Sequence, residues 1–359
     1  MAKILAIETS CDETACAIVE NGRKILSDVV YSQAEIHSEF GGVVPEIASR
    51  KHVDKITLVC EKAFSDAGLS FSDIDAVAVT SCPGLVGALL TGVSYAKALS
   101  FGLNLPLISV HHIKGHIAAN YLADSTLEPP FLCLVVSGGH SQIVHVKDYL
   151  TFEILSKTRD DAAGEAFDKV ARVFSLPYPG GVKLDMKAKT GDRTKITFTK
   201  PKMGDTDDFS FSGIKTAVNC YISKIIKKNI DEYDDNEFLT IDGFSGLGMK
   251  VKEGGITKAD VMASFSYSMA KMLTEPLFRL AKEKNIKKVC MAGGVSANSF
   301  LREEFFRLAH ENNIYAVCPP LNLCGDNAAM IGSHAFYEFE KGNFASPSLN
   351  ARPYVPIDM

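Results

Sequence analysis

The stretch F-L-C-L-V-V-S-G-G-H-S-Q-I-V-H-V, residues 131–146, decides the fold. It reads as an apolar strand, a short polar turn and a second strand, and residues 148–157 form a further strand-like run. The chain opens in the same order, with an apolar run at 3–7, a polar turn, and two more strand-like runs that end near residue 30. The residues of the two segments differ, but the order of strands and turns is the same. This repetition predicts a duplicated α/β fold whose two lobes enclose a cleft.

Helices and strands alternate between and after these two openings. The glycine-proline stop at 41–45 precedes a helical pattern over residues 47–67, whose apolar positions are Val53, Ile56, Val59, Cys60, Ala63 and Phe64. Strands are predicted at 75–80, 105–110 and 288–291, and further helices at 209–229, 261–284 and 299–311. Five of the seven residues 231–237 are acidic and glycine-rich sequence follows to 255, which predicts a flexible insertion or exposed loop.

The composition bounds the class of protein. The chain has 359 residues, 46% hydrophobic and 23% charged, enough for two domains with cores. Its nine cysteines form no C-x-x-C pair, which favours a reducing compartment over a disulfide scaffold or a zinc ribbon. We expect neither a signal peptide nor a membrane span, and a net charge of −5 argues against indiscriminate nucleic-acid binding.

A histidine cluster, S-V-H-H-I-K-G-H at 109–116, follows an apolar strand. On a helix His112 and His116 share one face, which suits two imidazoles on one metal ion. The zinc-protease motif requires Glu after the first histidine, and Ile113 stands there, so we disfavour a metalloprotease. Asp326, near the start of the last predicted helix, is either a helix cap or a third metal ligand.

The glycine turns are candidate ligand sites. Ser137-Gly138-Gly139 offers free backbone N–H groups, as a phosphate nest requires, and its flanks differ from the G-x-S-x-G of a nucleophilic serine. The turn 292–298 allows a purine and ribose to lie against backbone. Residues 183–202 carry seven Lys or Arg against two Asp, and are either a phosphate-backbone contact or a solvated loop. Asp12 and Glu13 lie at the cleft or serve ordinary turn chemistry.

Ten blocks stand in order along the chain: I-E-T-S-C-D-E-T (7–14), G-G-V-V-P-E-I-A-S-R (41–50), P-G-L-V-G-A-L (83–89), H-H-I-K-G-H (111–116), V-S-G-G-H-S-Q (136–142), D-D-A-A-G-E-A-F-D-K (160–169), Y-P-G-G (178–181), F-S-F-S-G-I-K-T (209–216), M-A-G-G-V-S-A-N (291–298) and C-G-D-N-A-A-M (324–330). With these blocks the chain strongly resembles the family that makes threonylcarbamoyladenosine in tRNA, TsaD, and the similarity runs nearly end to end. Two differences from the usual family pattern are Cys82 before Pro83-Gly84, where glycine is common, and Gly325 before Asp326, where threonine is common. The 231–255 region is also longer and more acidic than expected.

The resemblance implies an actin-like ATPase fold of the ASKHA, ribonuclease-H-like type, with two lobes around a cleft. The expected lobes are residues 1–128 and 129–324, with 325–359 packing back on the first. It further implies one divalent metal ion, iron or alternatively zinc, held by His112, His116 and Asp326. The adenine-nucleotide ligand, threonylcarbamoyl-AMP or ATP or ADP, would be held by Val135, Val136, Ser137, Gly138, Gly139, Asp168, Gly181, Asp185 and Asn298.

The activity implied is transfer of threonylcarbamoyl from threonylcarbamoyl-AMP to the exocyclic amine of the adenosine beside the anticodon, in tRNAs that read codons starting with A. Asp12 and Glu13 would orient the ligand or accept the proton of the attacking amine. The implied partners are tRNA, a non-catalytic TsaB-like paralogue and a small TsaE-like P-loop ATPase, all in the cytoplasm and without a membrane. Two alternatives stay open: a carbamoyltransferase acting on a small molecule or maturation protein, and a nucleotide-binding partner subunit.

Overall fold

Two five-stranded sheets organise the chain. The computed structural model describes residues 1–199, 203–204, 206–225, 230, 239, 245–246, 249–251 and 255–358. The first sheet has the order β3-β2-β1-β4-β5, in which β1 pairs antiparallel with β2 and parallel with β4. Its strands are β1 (Lys3–Glu8), β2 (Glu13–Glu20), β3 (Lys24–Ser32), β4 (Ala76–Cys82) and β5 (Leu107–His111).

The second sheet repeats this plan in the order β13-β12-β6-β7-β8, with β6 antiparallel to β7 and parallel to β12. A small third sheet joins β9, β10 and β11. The strands are β6 (Phe131–Val136), β7 (Ser141–Val146), β8 (Phe152–Lys157), β9 (Ile196–Phe198), β10 (Ser245–Gly246), β11 (Met249–Val251), β12 (Lys288–Ala292) and β13 (Tyr315–Val317). In each large sheet an antiparallel trio therefore leads and parallel strands follow.

Helices cover both sheets. The described helices are α1 (Ala34–Ser38), α2 (Pro45–Ala67), α3 (Val86–Leu103), α4 (His112–Ala123), α5 (Ala163–Val173), α6 (Gly180–Ala188), α7 (Ser212–Ile225), α8 (Lys258–Glu283), α9 (Ser299–Asn312) and α10 (Ala328–Glu340). Strand β1 shows how the first sheet is covered, because successive side chains point to opposite faces. Ile4 and Ala6 pack with α10, and Leu5 and Ile7 pack with α2 and α3.

Helix α10 lies close against the first sheet. A Cβ atom on Gly332 would come within 2.8 Å of the Val19 side chain and 3.2 Å of the Ala6 Cβ, so only glycine allows this approach. The helix also packs on α4. The last helix of the chain thus lies on the sheet formed by the first strands.

Some predictions need correction. Val53, placed on the buried face of the helix at 47–67, is 65% exposed. The helix at 209–229 begins at Ser212, and its predicted end lies outside the described residues. Most of the insertion at 231–255 also lies outside them, and its described part includes β10 and β11, which pair with each other and, through β11, with β9. Those residues are strand and not flexible loop, because the ladder satisfies their backbone groups.

Helix α3 is the one described helix that is long and apolar enough to cross a membrane. Its apolar run is broken by Lys97, whose Nζ donates to the Leu349 carbonyl at 3.2 Å. The buried residues Ala88, Leu89, Val93 and Ala96 give the helix an inner face, and the helix packs on β4.

Candidate active site

Strand β5 runs directly into α4, and this junction sets the histidines. His111 is the N-cap of α4, and its Nδ1 accepts the Ile113 N–H at 3.2 Å. Its Nε2 lies 3.0 Å from the Val355 carbonyl. His111 therefore has a structural role, and the helix directs His112 and His116 away from it.

The structure brings His112, His116 and Asp326 together. Asp326 Oδ1 lies 3.5 Å from His112 Nε2 and 3.1 Å from His116 Nε2, and one ligand atom from each residue lies within 4.8 Å of the other two. His116 is 1% exposed, and Asp326 is partly buried. The three form a candidate metal site.

The donor set fits a divalent metal ion. Both ring nitrogens of His116 are buried, and neither makes a well-aligned hydrogen bond among the described residues, although Nε2 lies 3.1 Å from the Asp326 carboxylate. Buried polar atoms without hydrogen bonds are costly, and a cation between Asp326 and His116 would satisfy Nε2. Two imidazoles and one carboxylate are ligands that both ferrous iron and zinc accept.

Glu8, at the end of β1, is a site residue that the sequence interpretation missed. It is fully buried, and its Oε2 accepts hydrogen bonds from Thr80 Oγ1 at 2.6 Å and His112 Nδ1 at 3.0 Å. Ser10 Oγ also lies 3.1 Å from that nitrogen. A carboxylate on Nδ1 fixes the ring so that Nε2 faces a metal. The available signal was an acidic residue directly after the apolar run at 4–7.

Negative charge dominates this cluster. Burial opposes ionisation of His112, yet the Asp326 and Glu8 carboxylates outweigh it and raise the pKa of His112 to about 9. Burial also opposes the charge of Asp326, but the facing histidines hold the pKa of Asp326 well below its usual range. Since a metal ion displaces protons from its ligands, a site that attracts a proton this strongly also attracts a divalent cation.

The capping role considered for Asp326 belongs to its neighbour. Asn327 is the N-cap of α10, and its Oδ1 accepts the Met330 N–H at 2.9 Å. Asp28 of β3 also accepts the Ala329 N–H, at 3.3 Å. With the helix end satisfied by these two side chains, Asp326 is left to face the histidines.

Asp12 and Glu13 occupy the first opening turn, next to this cluster. Burial, together with the charges of Asp326 and Asp12, raises the pKa of Glu13 to about 10. Burial and the charges of Asp12, Cys11 and Asp168 raise the pKa of Tyr178. Tyr178, which the sequence interpretation passed over, is therefore influenced by the charges of both the acidic turn and Asp168.

The second opening turn lies across the cleft. Val135 and Val136 are fully buried at the end of β6, and Gly138 and Gly139 are exposed with open space where a Cβ would stand. Burial and the charges of His112 and His116 lower the pKa of His140, which ends this turn, to about 4. His140 was not among the predicted site residues, and the charges of the two candidate metal-ligand histidines act on it.

Two glycines let other segments approach this turn. A Cβ on Gly164 would lie 2.7 Å from the Ser137 carbonyl oxygen, and one on Gly293 would lie 2.4 Å from that of Val136. Gly293 also has φ +89°, a conformation that side chains rarely adopt. The start of α5 and the turn 293–298 therefore both abut the β6–β7 turn.

The other side chains predicted to bind the ligand, Asp168, Asp185 and Asn298, also accept hydrogen bonds from nearby backbone N–H groups. Asp168 Oδ1 accepts the N–H groups of Gly180 and Gly181, both at 2.9 Å. Asp185 Oδ1 accepts the Ser299 N–H at 3.0 Å, and Asn298 caps α9 by accepting the Leu301 N–H at 3.0 Å. These bonds tie α5, α6 and α9 into one wall.

Arg302 connects that wall to the segment that leads to Asp326. Its Nη1 donates to the carbonyls of Ser296 at 3.3 Å and Pro319 at 3.0 Å, and it lies 2.8 Å from Cys318 Sγ. The turn that ends in Asn298 and the segment that leads to Asp326 thus share one guanidinium. The sequence offered no signal for this contact.

The basic stretch 183–202 is only partly described. Arg193 pairs with Glu303 at 2.8 Å and lies over the Tyr267 ring, and Lys189 lies 3.8 Å from Asp185. Lys200 and Lys202 lie outside the described residues. Contact of this stretch with a phosphate backbone stays a prediction.

Comparison with solved structures identifies the fold. The chain superposes on HypF of T. kodakarensis with a TM-score of 0.60 at 14% identity, covering 97% of this chain and 49% of that one. It superposes on component A of the (R)-2-hydroxyglutaryl-CoA dehydratase of Acidaminococcus fermentans with a TM-score of 0.52 at 14% identity, covering 96% and 100%. The expected actin-like, duplicated fold class is confirmed.

Sequence comparison gives the family. The family model described as "TsaD: tRNA N6-adenosine threonylcarbamoyltransferase" matches residues 24–333. Relatives of that name are 52% identical in Clostridium perfringens (99% of this chain, 98% of the relative), 50% in Clostridium novyi (99% and 98%) and 49% in Clostridium botulinum (99% and 97%). The chain therefore belongs to the tRNA N6-adenosine threonylcarbamoyltransferase family, a family of transferases that act on tRNA.

Proposed function

We propose that this protein transfers the threonylcarbamoyl group of threonylcarbamoyl-AMP to the exocyclic amine of the adenosine beside the anticodon, in tRNAs that read codons starting with A. The observation that carries this proposal is the cluster of His112, His116 and Asp326, whose histidine charges also act on His140 at the end of the glycine turn. A metal-ligand set and a phosphate nest in one cleft suit an acyl-adenylate, whose carbonyl and phosphate lie side by side.

His112, His116 and Asp326 would hold one ferrous ion, with zinc as the alternative, and Glu8 would fix the orientation of His112. When bound, the ion supplies Lewis acidity for the carbonyl or a template that orients the acyl group. The short distances from Asp326 Oδ1 to both histidines support one shared ion.

The adenylate would lie along the wall formed around Val135, Val136 and Ser137. The backbone N–H groups at Gly138 and Gly139 would stabilise the phosphate, and their lack of side chains leaves it access. Asp168 would act near the ligand while holding Gly181, and Asp185 and Asn298 would border the purine and ribose. ATP or ADP would occupy the same place.

In the reaction the amine nitrogen forms a bond to the carbamoyl carbon, and the bond from that carbon to the AMP phosphate oxygen breaks. AMP leaves with the electron pair of the broken bond. The amine proton passes to the Asp12 carboxylate, whereas Glu13, whose raised pKa of about 10 keeps its carboxyl protonated, would orient the ligand. An aromatic amine is a weak nucleophile, so orientation and charge stabilisation supply most of the rate.

We also propose two lobes, 1–128 and 129–324, with 325–359 belonging to the first. The packing of α10 on β1 and α4 supports this division.

We further propose that the reaction takes place in the cytoplasm and that a TsaB-like paralogue and a TsaE-like P-loop ATPase are partners of the protein. The ATPase would be a separate subunit because the sequence contains no G-x-x-x-x-G-K motif of its own.

The test combines the protein and its partner subunits with synthetic threonylcarbamoyl-AMP and unmodified tRNA, followed by nucleoside mass spectrometry. A threonylcarbamoyladenosine peak is expected for the native chain. The His112→Ala/His116→Ala variant should lose the peak together with its metal, measured by elemental analysis. A peak that persists without bound metal would overturn the metal assignment. No peak with active partners would favour a small-molecule carbamoyltransferase instead.

A further inference from the structure

A basic pocket outside the metal cluster has no role in the chemistry above. It is a cavity of about 410 Å³ between α5 and α7, lined by Lys169, Arg172, Val173, Lys215 and Asn219, and is called the rim pocket below. Three of its five residues are cationic in a chain whose net charge is −5. This local excess of positive charge in an acidic chain calls for an account of what each cation pairs with.

Internal ion pairs account for two of the cations. Lys169 Nζ lies 2.9 Å from Asp161 and 2.6 Å from Glu165, and Lys215 pairs with Asp161. Arg172 is exposed and pairs with no carboxylate within the part of the chain that the structure describes. Two carboxylates thus pair with two of the three cations, whereas Arg172, whose charge also favours the ionised form of Asp168, forms no ion pair of its own among the described residues.

The position of the pocket matters as much as its charge. Arg172 lies on α5 four residues, about 6 Å along the axis, beyond Asp168, which holds the glycine pair of the ligand pocket. Its Nη2 donates to the Gly41 carbonyl at 3.2 Å, and Gly41 precedes α2 of the first lobe. The rim pocket thus lies where the two lobes meet beside the ligand site.

From this charge and position we infer that the rim pocket binds a backbone phosphate of the tRNA, next to the adenosine that enters the cleft. The inference rests on the proposed function. A guanidinium binds phosphate oxygens in a bidentate manner, lysines add point charge, and the Asn219 amide offers a further donor. Phosphate contacts of this kind fix the register of an RNA without reading its sequence.

The experiment measures tRNA binding to the assembly of the full chain with its partner subunits, by fluorescence anisotropy across a salt series. The test variants are Arg172→Ala, Arg172→Glu and Asn219→Asp, all at exposed positions, and Asn219→Asp changes charge without changing shape. Arg307→Ala is the control, because Arg307 is a half-exposed arginine on α9 whose partners are Glu304 and Glu311. AMP binding to each variant is measured beside it.

Arg172→Ala should weaken tRNA binding about tenfold and reduce the slope of log affinity against log salt by about one. Arg172→Glu should weaken binding further, Asn219→Asp should also weaken it, and Arg307→Ala should not. AMP affinity should be retained throughout. The inference would be overturned if the Arg172 variants kept native-like tRNA affinity and salt slope. It would also be overturned if these variants lost AMP affinity equally, or if they lost a partner subunit from the assembly. If the native chain modifies no tRNA, the proposed function itself fails.

Discussion

The Glu8 carboxylate accepts a hydrogen bond from Nδ1 of His112 at 3.0 Å, inside the first lobe where Glu8 has no exposed surface. Because a carboxylate only accepts, Nδ1 carries the proton, and with a metal bound the free electron pair of the ring lies on Nε2, toward Asp326. The end of β1 thereby determines which histidine nitrogen is available to the metal.

Replacing Glu8 by Gln should weaken metal binding about 10- to 100-fold, because the amide can still accept the hydrogen bond but lacks the charge that increases ligand basicity. Metal content after dialysis against graded chelator, measured by elemental analysis, checks this. Glu20→Gln is the control, since Glu20 ends the neighbouring strand and pairs with Lys24 at 3.2 Å. Equal metal retention in both variants would remove Glu8 from the site.

Gly293→Ala should destabilise the protein by about 2–4 kcal/mol. The added Cβ would lie 2.4 Å from the Val136 carbonyl oxygen, and φ +89° is strained for alanine. Gly294→Ala is the matched control, because nothing lies within 4 Å of its Cβ. Urea unfolding of the two variants measures the difference. Similar midpoints would show that the 293–298 turn relaxes away from β6.

Asp28 should make stability depend on pH. Burial raises the pKa of Asp28 to about 6, although the backbone N–H groups of Ala328 and Ala329 oppose that shift. A carboxyl whose pKa is raised by folding favours the folded state below its ordinary pKa of about 3.9, and that contribution is lost as pH rises through 6.

Asp28→Asn keeps the acceptor for the Ala329 N–H but does not ionise, so it should remove this dependence. Between pH 4 and pH 7 the stability of the variant relative to the native chain should rise by about 2 kcal/mol, measured by urea unfolding at each pH. Asp66→Asn, at an exposed position on α2, provides the reference. Parallel pH curves for Asp28→Asn and the native chain would contradict the raised pKa.

Arg302→Met should weaken metal retention and AMP binding together. Its Nη1 holds both Ser296, in the turn that leads to Asn298, and Pro319, in the segment that leads to Asp326. Losing charge-assisted bonds to both should cost about tenfold or more in each affinity. Calorimetry with AMP and metal analysis give the two values, with Arg307→Met as control. A loss confined to one ligand would show that Arg302 supports only one wall.

The duplicated plan could be predicted because apolar runs separated by polar turns stand in the same order at the head of each half. The helical pattern was predicted from residue 47, whereas helix α2 begins at Pro45. Proline is favoured in the first turn of a helix, so Pro45 belongs to the helix and does not only precede it. Val53 was misplaced because a helical pattern over-assigns apolar residues to the inner face, and this one is exposed.

The site was harder to predict in full. The spacing of His112 and His116 is local and therefore visible, whereas Glu8 reaches His112 across 104 residues and Arg302 reaches Pro319 across 17 residues that include β13. Asn327 and Asp326 are adjacent, and only the helix geometry decides which of the two is the cap. Contacts between segments that are distant in the chain leave no periodic pattern, so a single sequence does not predict them.

The position of α10 on the sheet that begins the chain has a consequence for biosynthesis. A ribosome completes every strand of the first sheet long before it reaches Asp326, so the nascent lobe presents two histidines without their carboxylate. The three candidate metal ligands come together only after Asp326 has been synthesised and α10 covers β1. Fragments released before that point would therefore lack one of the three candidate ligands.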